Sequence, residues 1–557
     1  MRFAVFAAAF FAAAPAAAAP GWLVQCDGYN RRISDAESFG RGLLTLGTLG
    51  IIGSQEANKP TGFETGEKGV EACTRALESK ELTGNPIRRS EVLAARALHN
   101  LGLGRADAAL ADADAAAAVP MPPQAQVAFD RTLKPSLQIV RAQALVALGR
   151  QADAETAALE AIRLRPWASF NLERAGAILG LTPTISPDEQ AALDRAARAS
   201  LPGLRQRADR LSAAGDHAGA ARDMAALIAA IEVNNPEPET TLYARLAAER
   251  ALAGDSAAKA AVDAAQAKVD ALAPIAQGTD DKAQKAAQQV ARSDEMIALA
   301  RAELARREGR TAEAQALLSG RTRWLAPASV TADVIAAANK AYGPAWRAPV
   351  DPDKLIADDL RVRREKLSAK EETRLAVVML PRFEPMDTFT DLGGYLARGE
   401  GVKAEPKQDG KVLRLSFSRK AAGLNTLEEW MLLASARQAR QQGADRFAVV
   451  SAGALPQLGR EGVTALVAVS NIALPAGAML PVYKAQQDRS LSVDEIEAAL
   501  ARLPRRSREI ARLSRGGASG PARRGRSAQA RTLLAREPAA RRRCRARSCL
   551  PQPCRFA

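Results

Sequence analysis

From about Gly69 to Tyr342 apolar positions recur every three to four residues, the spacing of helices with one buried stripe. The pattern is clearest from Pro135 to Pro166, where two short apolar-periodic runs meet at Gly149-Arg150. That reads as a helix, a tight turn and a second helix, ended by Pro166. Ala142, Ala154 and Ala161 place small residues where the two helices must close on each other. The same spacing upstream gives Ala109 and Ala116, with Gly104-Arg105 at the turn and Pro120 one residue early. Farther on, Gly215, Gly254 and Gly309 each separate two apolar-periodic runs, at positions suited to a left-handed helix cap. The expectation for residues 69–342 is a set of stacked helix hairpins, because one hairpin cannot bury its own apolar face.

Past Tyr342 the period changes. Residues 343–353 hold three prolines and read as a linker. Within 354–502, Leu375–Leu380, Lys411–Ser418, Phe447–Ser451 and Val463–Leu474 are strand-like. Thr426-Leu427-Glu428-Glu429 has the form of a capping box opening a helix, whose apolar positions Leu427, Trp430, Met431 and Ala434 share a face. Gly443 stops it, and Ser492–Leu500 reads as a last helix. Strand, strand, helix, strand, strand, helix predicts a small α+β domain. The fold class expected is therefore mainly α, helix hairpins followed by this α+β part.

At the hairpin residues the chain resembles the tetratricopeptide-repeat family. The match is good over Pro135–Pro166, fair over Arg89–Pro120 and partial over Leu204–Asn235 and Met296–Gly320, without the usual large aromatics of the first helix. The resemblance implies a helical array whose concave face binds peptides or proteins. The stretch LLASARQARQQGADRFAVV, 432–450, faintly resembles a domain of uncharacterised bacterial envelope lipoproteins, a family with no established reaction to lend.

Composition sharpens this picture. Aromatics are 4% of 557 residues and alanine is abundant, so helices can form readily and approach closely. Of the formal charge of +16, residues 503–557 supply +14, with sixteen arginines against Glu509 and Glu537. The body is nearly neutral, so nucleic-acid binding by it is not expected. That tail has no lysine and no apolar period. It reads either as the product of a shifted reading frame through a GC-rich gene or as a basic disordered arm.

Residues 1–19 read as a secretory signal, Arg2 followed by a short apolar core and small residues; residues 20–68 form an N-terminal segment. Within it, Gly40–Gly53 is apolar but broken by glycines and reads as buried, and no stretch is suited to a transmembrane span. Two cysteines in the body of an exported chain, Cys26 and Cys73, point to one disulfide. The rival is a lipid anchor on Cys26 after Leu23-Val24-Gln25. The compartment expected is the periplasm, and the partner an envelope protein or peptide.

Reaction chemistry is sparse. His99 and His217 lack metal-type spacing and read as satisfied or solvent-facing side chains. Gly40–Thr45 lacks the third glycine of a dinucleotide fingerprint, and 62–69 misses phosphate-loop spacing. Cys544, Cys549 and Cys554 depart from zinc-ligand spacing. The charge runs 351–359 and 361–370 read as solvated helix faces. No cofactor or catalytic set is expected. The rival from another class is a cell-wall or peptide hydrolase using Glu428, Glu429 and Asp445.

Overall fold

Five glycine turns organise the helical body. In the computed structural model, which describes residues 21–28, 64–232, 239–321, 324–343, 346, 350–370, 373, 383, 402–407, 412–420, 424–441, 443–456, 463–472 and 489–500, the helices α3 (Pro86–Gly102) and α4 (Ala106–Ala117) meet at Gly104. In the same way α6 (Leu133–Ala147) and α7 (Gln151–Leu164) meet at Gly149, α10 (Leu201–Ala213) and α11 (His217–Glu232) at Gly215, α12 (Thr240–Ala253) and α13 (Ala258–Ala276) at Gly254, and α14 (Asp281–Arg307) and α15 (Thr311–Ser319) at Gly309. All five glycines have φ between 69° and 80°. A side chain at Gly149 would be strained at this left-handed backbone. The residue after each glycine donates its N–H to a carbonyl five residues back, as Arg150 does to Leu145 at 2.9 Å and Arg310 to Ala305 at 2.8 Å. One helix-ending geometry thus closes all five of these hairpins.

The remaining helices of the body are α1 (Trp22–Asp27), α2 (Glu67–Glu78), α5 (Pro123–Arg131), α8 (Ser169–Leu179), α9 (Pro187–Ala199), α16 (Ala328–Tyr342) and α17 (Pro352–Leu367). Successive hairpins pack on one another, except that α6–α7 reaches α10–α11 through α8 and α9. Alanine makes the close approaches: Ala244, Ala247, Ala248 and Ala251 of α12 are wholly buried against α13 and α14. Ala109, Ala116, Ala142, Ala154 and Ala161 are wholly buried, and Pro166 is half-buried just beyond the end of α7. Cys26 and Cys73 are joined in a disulfide with Cα atoms 4.6 Å apart, which ties α1 to α2. Beside it Asp27 accepts from Arg88 at 2.6 and 2.8 Å, and His99 Nε2 stands 2.8 Å from the Cys26 carbonyl oxygen.

After α16 the chain doubles back. α17 packs on both α16 and α6, and Leu367 joins the apolar cluster of α6, α7 and α8. Thr373 lies against α3, where a Cβ on Gly102 would stand 2.5 Å from its Oγ1. Phe383 is buried with Leu93, Phe129 and Leu137. The linker expected at 343–353 therefore leads into a helix of the body rather than into the α+β part.

The sheet is five-stranded and antiparallel, ordered β1-β2-β4-β3-β5 from β1 (Val402–Lys407), β2 (Val412–Lys420), β3 (Arg446–Pro456), β4 (Val463–Ile472) and β5 (Leu491–Ser492). A bulge interrupts β3 between Val449 and Ser451. Helices α18 (Leu424–Gln441) and α19 (Val493–Leu500) complete this part. α18 is buried continuously from Glu429 to Ala436 because it lies between the sheet and α8. Trp167 and Ala199 of the body share its core with Trp430, Phe447 and Ile496.

α18 begins at Leu424, two residues ahead of Thr426. The expected capping box therefore sits inside the helix and does not open it. The chain is mainly helical, with nineteen α-helices and one small sheet among the described residues. The expected signal segment, Gly40–Gly53, the Leu375–Leu380 strand and the tail 503–557 lie outside the described residues.

Candidate binding cleft

A cleft of about 770 Å³ opens between α10, α12, α14, the 324–328 loop and α17, with Met224 of α11 contributing to its lining. That size suits a small ligand or a short peptide segment. Helical spacing explains how each wall reaches it. Arg205 and Asp209 are one turn apart on α10, Leu242 and Arg245 neighbour each other on α12, and Arg292 and Met296 are one turn apart on α14. From α17 come Leu355, Asp358, Asp359, Val362 and Arg363, one continuous face. This is the charge run that reads in sequence as solvated.

The loop wall is pinned from behind. The backbone N–H groups of Leu325 and Ala326 both donate to Glu295 Oε1 at 2.6 Å, and Glu295 is buried. Leu325 is thereby held outward, 48% exposed, and across the cleft Val362 is 37% exposed. Single exposed apolar residues are ordinary. Here two of the five large ones among the described residues line one opening.

A line of charged groups runs from the cleft into the core. Asp209 keeps 55% of its side chain open, yet protein walls surround that opening and their desolvation pushes its carboxyl up; Arg245, Arg205 and Arg363 oppose this, while Glu249 adds to it. Arg245 Nη2 is 3.6 Å from Asp209, and its Nε donates to Glu249 at 2.5 Å. Burial pushes the Glu249 carboxyl up, but hydrogen bonding by His217 and the Arg245 charge outweigh it and hold it below the ordinary range. His217 Nδ1 is 2.8 Å from Glu249 Oε2, and its Nε2 is 3.1 Å from Asp333 Oδ2. Burial lowers the imidazole pKa, but its two carboxylate partners overcome this and raise it to about 9. The groups join α16, α11, α12 and α10 behind the cleft floor.

Of the carboxylates in the rival hydrolase reading, Glu429 is engaged in ion pairs. Glu429 is 3% exposed, and its Oε2 accepts from Arg131 at 3.0 Å and Arg165 at 3.1 Å. Burial alone would raise its pKa; the two arginines win and hold it down. Its carboxylate is turned to α5 and to the end of α7, not to the start of its own helix. Asp445 is exposed, and its carbonyl accepts from the Val493 N–H at 2.9 Å. Both histidines are partnered. Among the described residues no group of three histidine, cysteine or acidic side chains could hold a metal ion, and no helix is long and apolar enough to cross a membrane.

None of the cleft-lining residues stands out in the sequence by motif or spacing. The available signal is Leu355 and Val362, seven apart in a helix rich in charge. Comparison with protein-family models, with curated proteins and with solved structures finds no match.

Proposed function

We propose that this chain is an exported scaffold of the cell envelope, built on tetratricopeptide-like hairpins, that holds a peptide or an extended protein segment in the α10–α17 cleft. The observation that carries the reading is the cleft itself: charged groups and exposed Leu325 and Val362 share one opening of about 770 Å³. Peptides present both kinds of group side by side. The five identical glycine-capped turns support the repeat architecture. The Cys26–Cys73 disulfide favours an oxidising compartment such as the periplasm. Between the scaffold and the hydrolase, the engagement of Glu429 by two arginines favours the scaffold.

The test is retention of a randomised octapeptide library by the full chain. Leu325→Asp is expected to abolish retention, since it places a carboxylate at the apolar rim. Equal retention by wild type and Leu325→Asp, or none by either, contradicts the reading.

A further inference from the structure

The lining of the cleft carries four arginines and four acids, and only the acids are all engaged. Asp209 faces Arg245 at 3.6 Å, Asp358 faces Arg361 at 3.7 Å, Asp359 accepts from Arg363 at 2.7 Å, and the Thr241 hydroxyl donates to Glu239 at 3.5 Å. Among the arginines, Arg245 is held by Glu249 and Arg363 by Asp359. Arg205 on α10 and Arg292 on α14 have no ion pair or side-chain hydrogen bond among the described residues. The charge left unmet is therefore positive, although the formal charges of the lining cancel. A guanidinium is weakly hydrated and its fork matches a carboxylate, so an open one facing a walled cleft is suited to an anionic oxygen pair.

We infer that the cleft recognises a peptide carboxylate next to an apolar side chain. Arg205 and Arg292 bind the carboxylate, and Leu325 and Val362 take the apolar neighbour. This rests on the peptide-binding reading and makes it specific. A basic peptide is disfavoured because each acid it would need already has a partner, whereas a carboxylate enters without breaking an existing pair.

The experiment uses two randomised octapeptide libraries, one C-terminally amidated and one with a free carboxyl, offered to the full chain. Retained peptides are sequenced. The expected result is enrichment of Asp or Glu beside Leu, Ile, Val or Met in the amidated library. If the recognised group is a chain terminus, the enrichment appears instead as an apolar last residue in the free-carboxyl library; either outcome supports the inference. The double variant Arg205→Gln/Arg292→Gln should lose about tenfold or more in affinity, the scale of charge-assisted contacts. Arg364→Gln, on α17 but outside the cleft, should lose none. Retention without acid or terminal preference, still abolished by Leu325→Asp, overturns this inference and leaves the peptide-binding reading standing. Retention insensitive to Leu325→Asp, or absent altogether, removes both.

Discussion

The junction at Glu429 and the cleft at Asp209 are made of the same materials, arginines and carboxylates brought together by helices distant in sequence, and they end in opposite states. At the junction Glu429 and Arg165 are 3% and 0% exposed at the side chain, two guanidiniums share one carboxylate oxygen, and apolar residues of α18 surround them. At the cleft Asp209 is 55% exposed, Arg245 approaches it only at 3.6 Å, and two further arginines are without ion pairs among the described residues. Residue type does not separate the two; closure does. A charge set sealed between packed surfaces holds parts together, and one left open by a pinned loop and a crossing helix can receive something else.

If the junction is structural, removing its carboxylate should produce the largest effect. Glu429→Gln leaves the charges of Arg131 and Arg165 without their shared counterion in a buried site, and should cost about 3–5 kcal/mol by denaturant unfolding. A loss below about 1 kcal/mol would erase the contrast between the two regions. The disulfide clasp is a second closed region. Cys26→Ser with Cys73→Ser should cost about 2–4 kcal/mol in the chain-entropy picture. Hydrogen exchange should show the protection lost mainly from α1 and α2.

His217 sits between the two extremes, 11% exposed and reached by Glu249 from α12 and Asp333 from α16. Its folded pKa, about 9, is raised above the ordinary 6.5. The stability it contributes is full below pH 6.5 and lost as pH rises through about 9, with an upper bound of roughly 3 kcal/mol. His217→Gln should flatten unfolding free energy against pH in that window. The smallest effect belongs to the cleft: Arg205→Gln and Arg292→Gln should each leave stability within about 0.5 kcal/mol, because neither side chain makes an ion pair among the described residues.

The hairpins were legible because turn chemistry and apolar period agree. Gly149 needs its left-handed backbone, and Ala142 and Ala154 sit where the paired helices approach. The strands at Val412 and Val463 were legible by alternation and β-branched content. β1 was not: VKAEPK has two apolar residues and a proline, and its place is set by pairing to β2 at Val402↔Phe417. The stripe read on α18 covered only part of what is buried, since Leu432 and Leu433 are also enclosed when a second surface covers the helix. The cleft was illegible for a different reason. Asp209, Arg245, Arg292 and Val362 lie on four helices, and each alone looks like an ordinary solvated residue. Their meaning comes from α17 doubling back over the body, which local periodicity does not encode.

Ligand-linked stability separates the two regions most directly, using the best-retained library peptide at one hundred times its dissociation constant. Binding to the folded state alone should raise the unfolding free energy of wild type by about 2.7 kcal/mol. At the same peptide concentration a tenfold weaker Arg205→Gln/Arg292→Gln should keep about 1.4 kcal/mol of that gain or less, while the destabilised Glu429→Gln protein keeps all of it. A gain unchanged by the cleft substitutions, or lost with Glu429 while the cleft residues are intact, would contradict the assignment of one region to holding the fold and the other to holding a ligand.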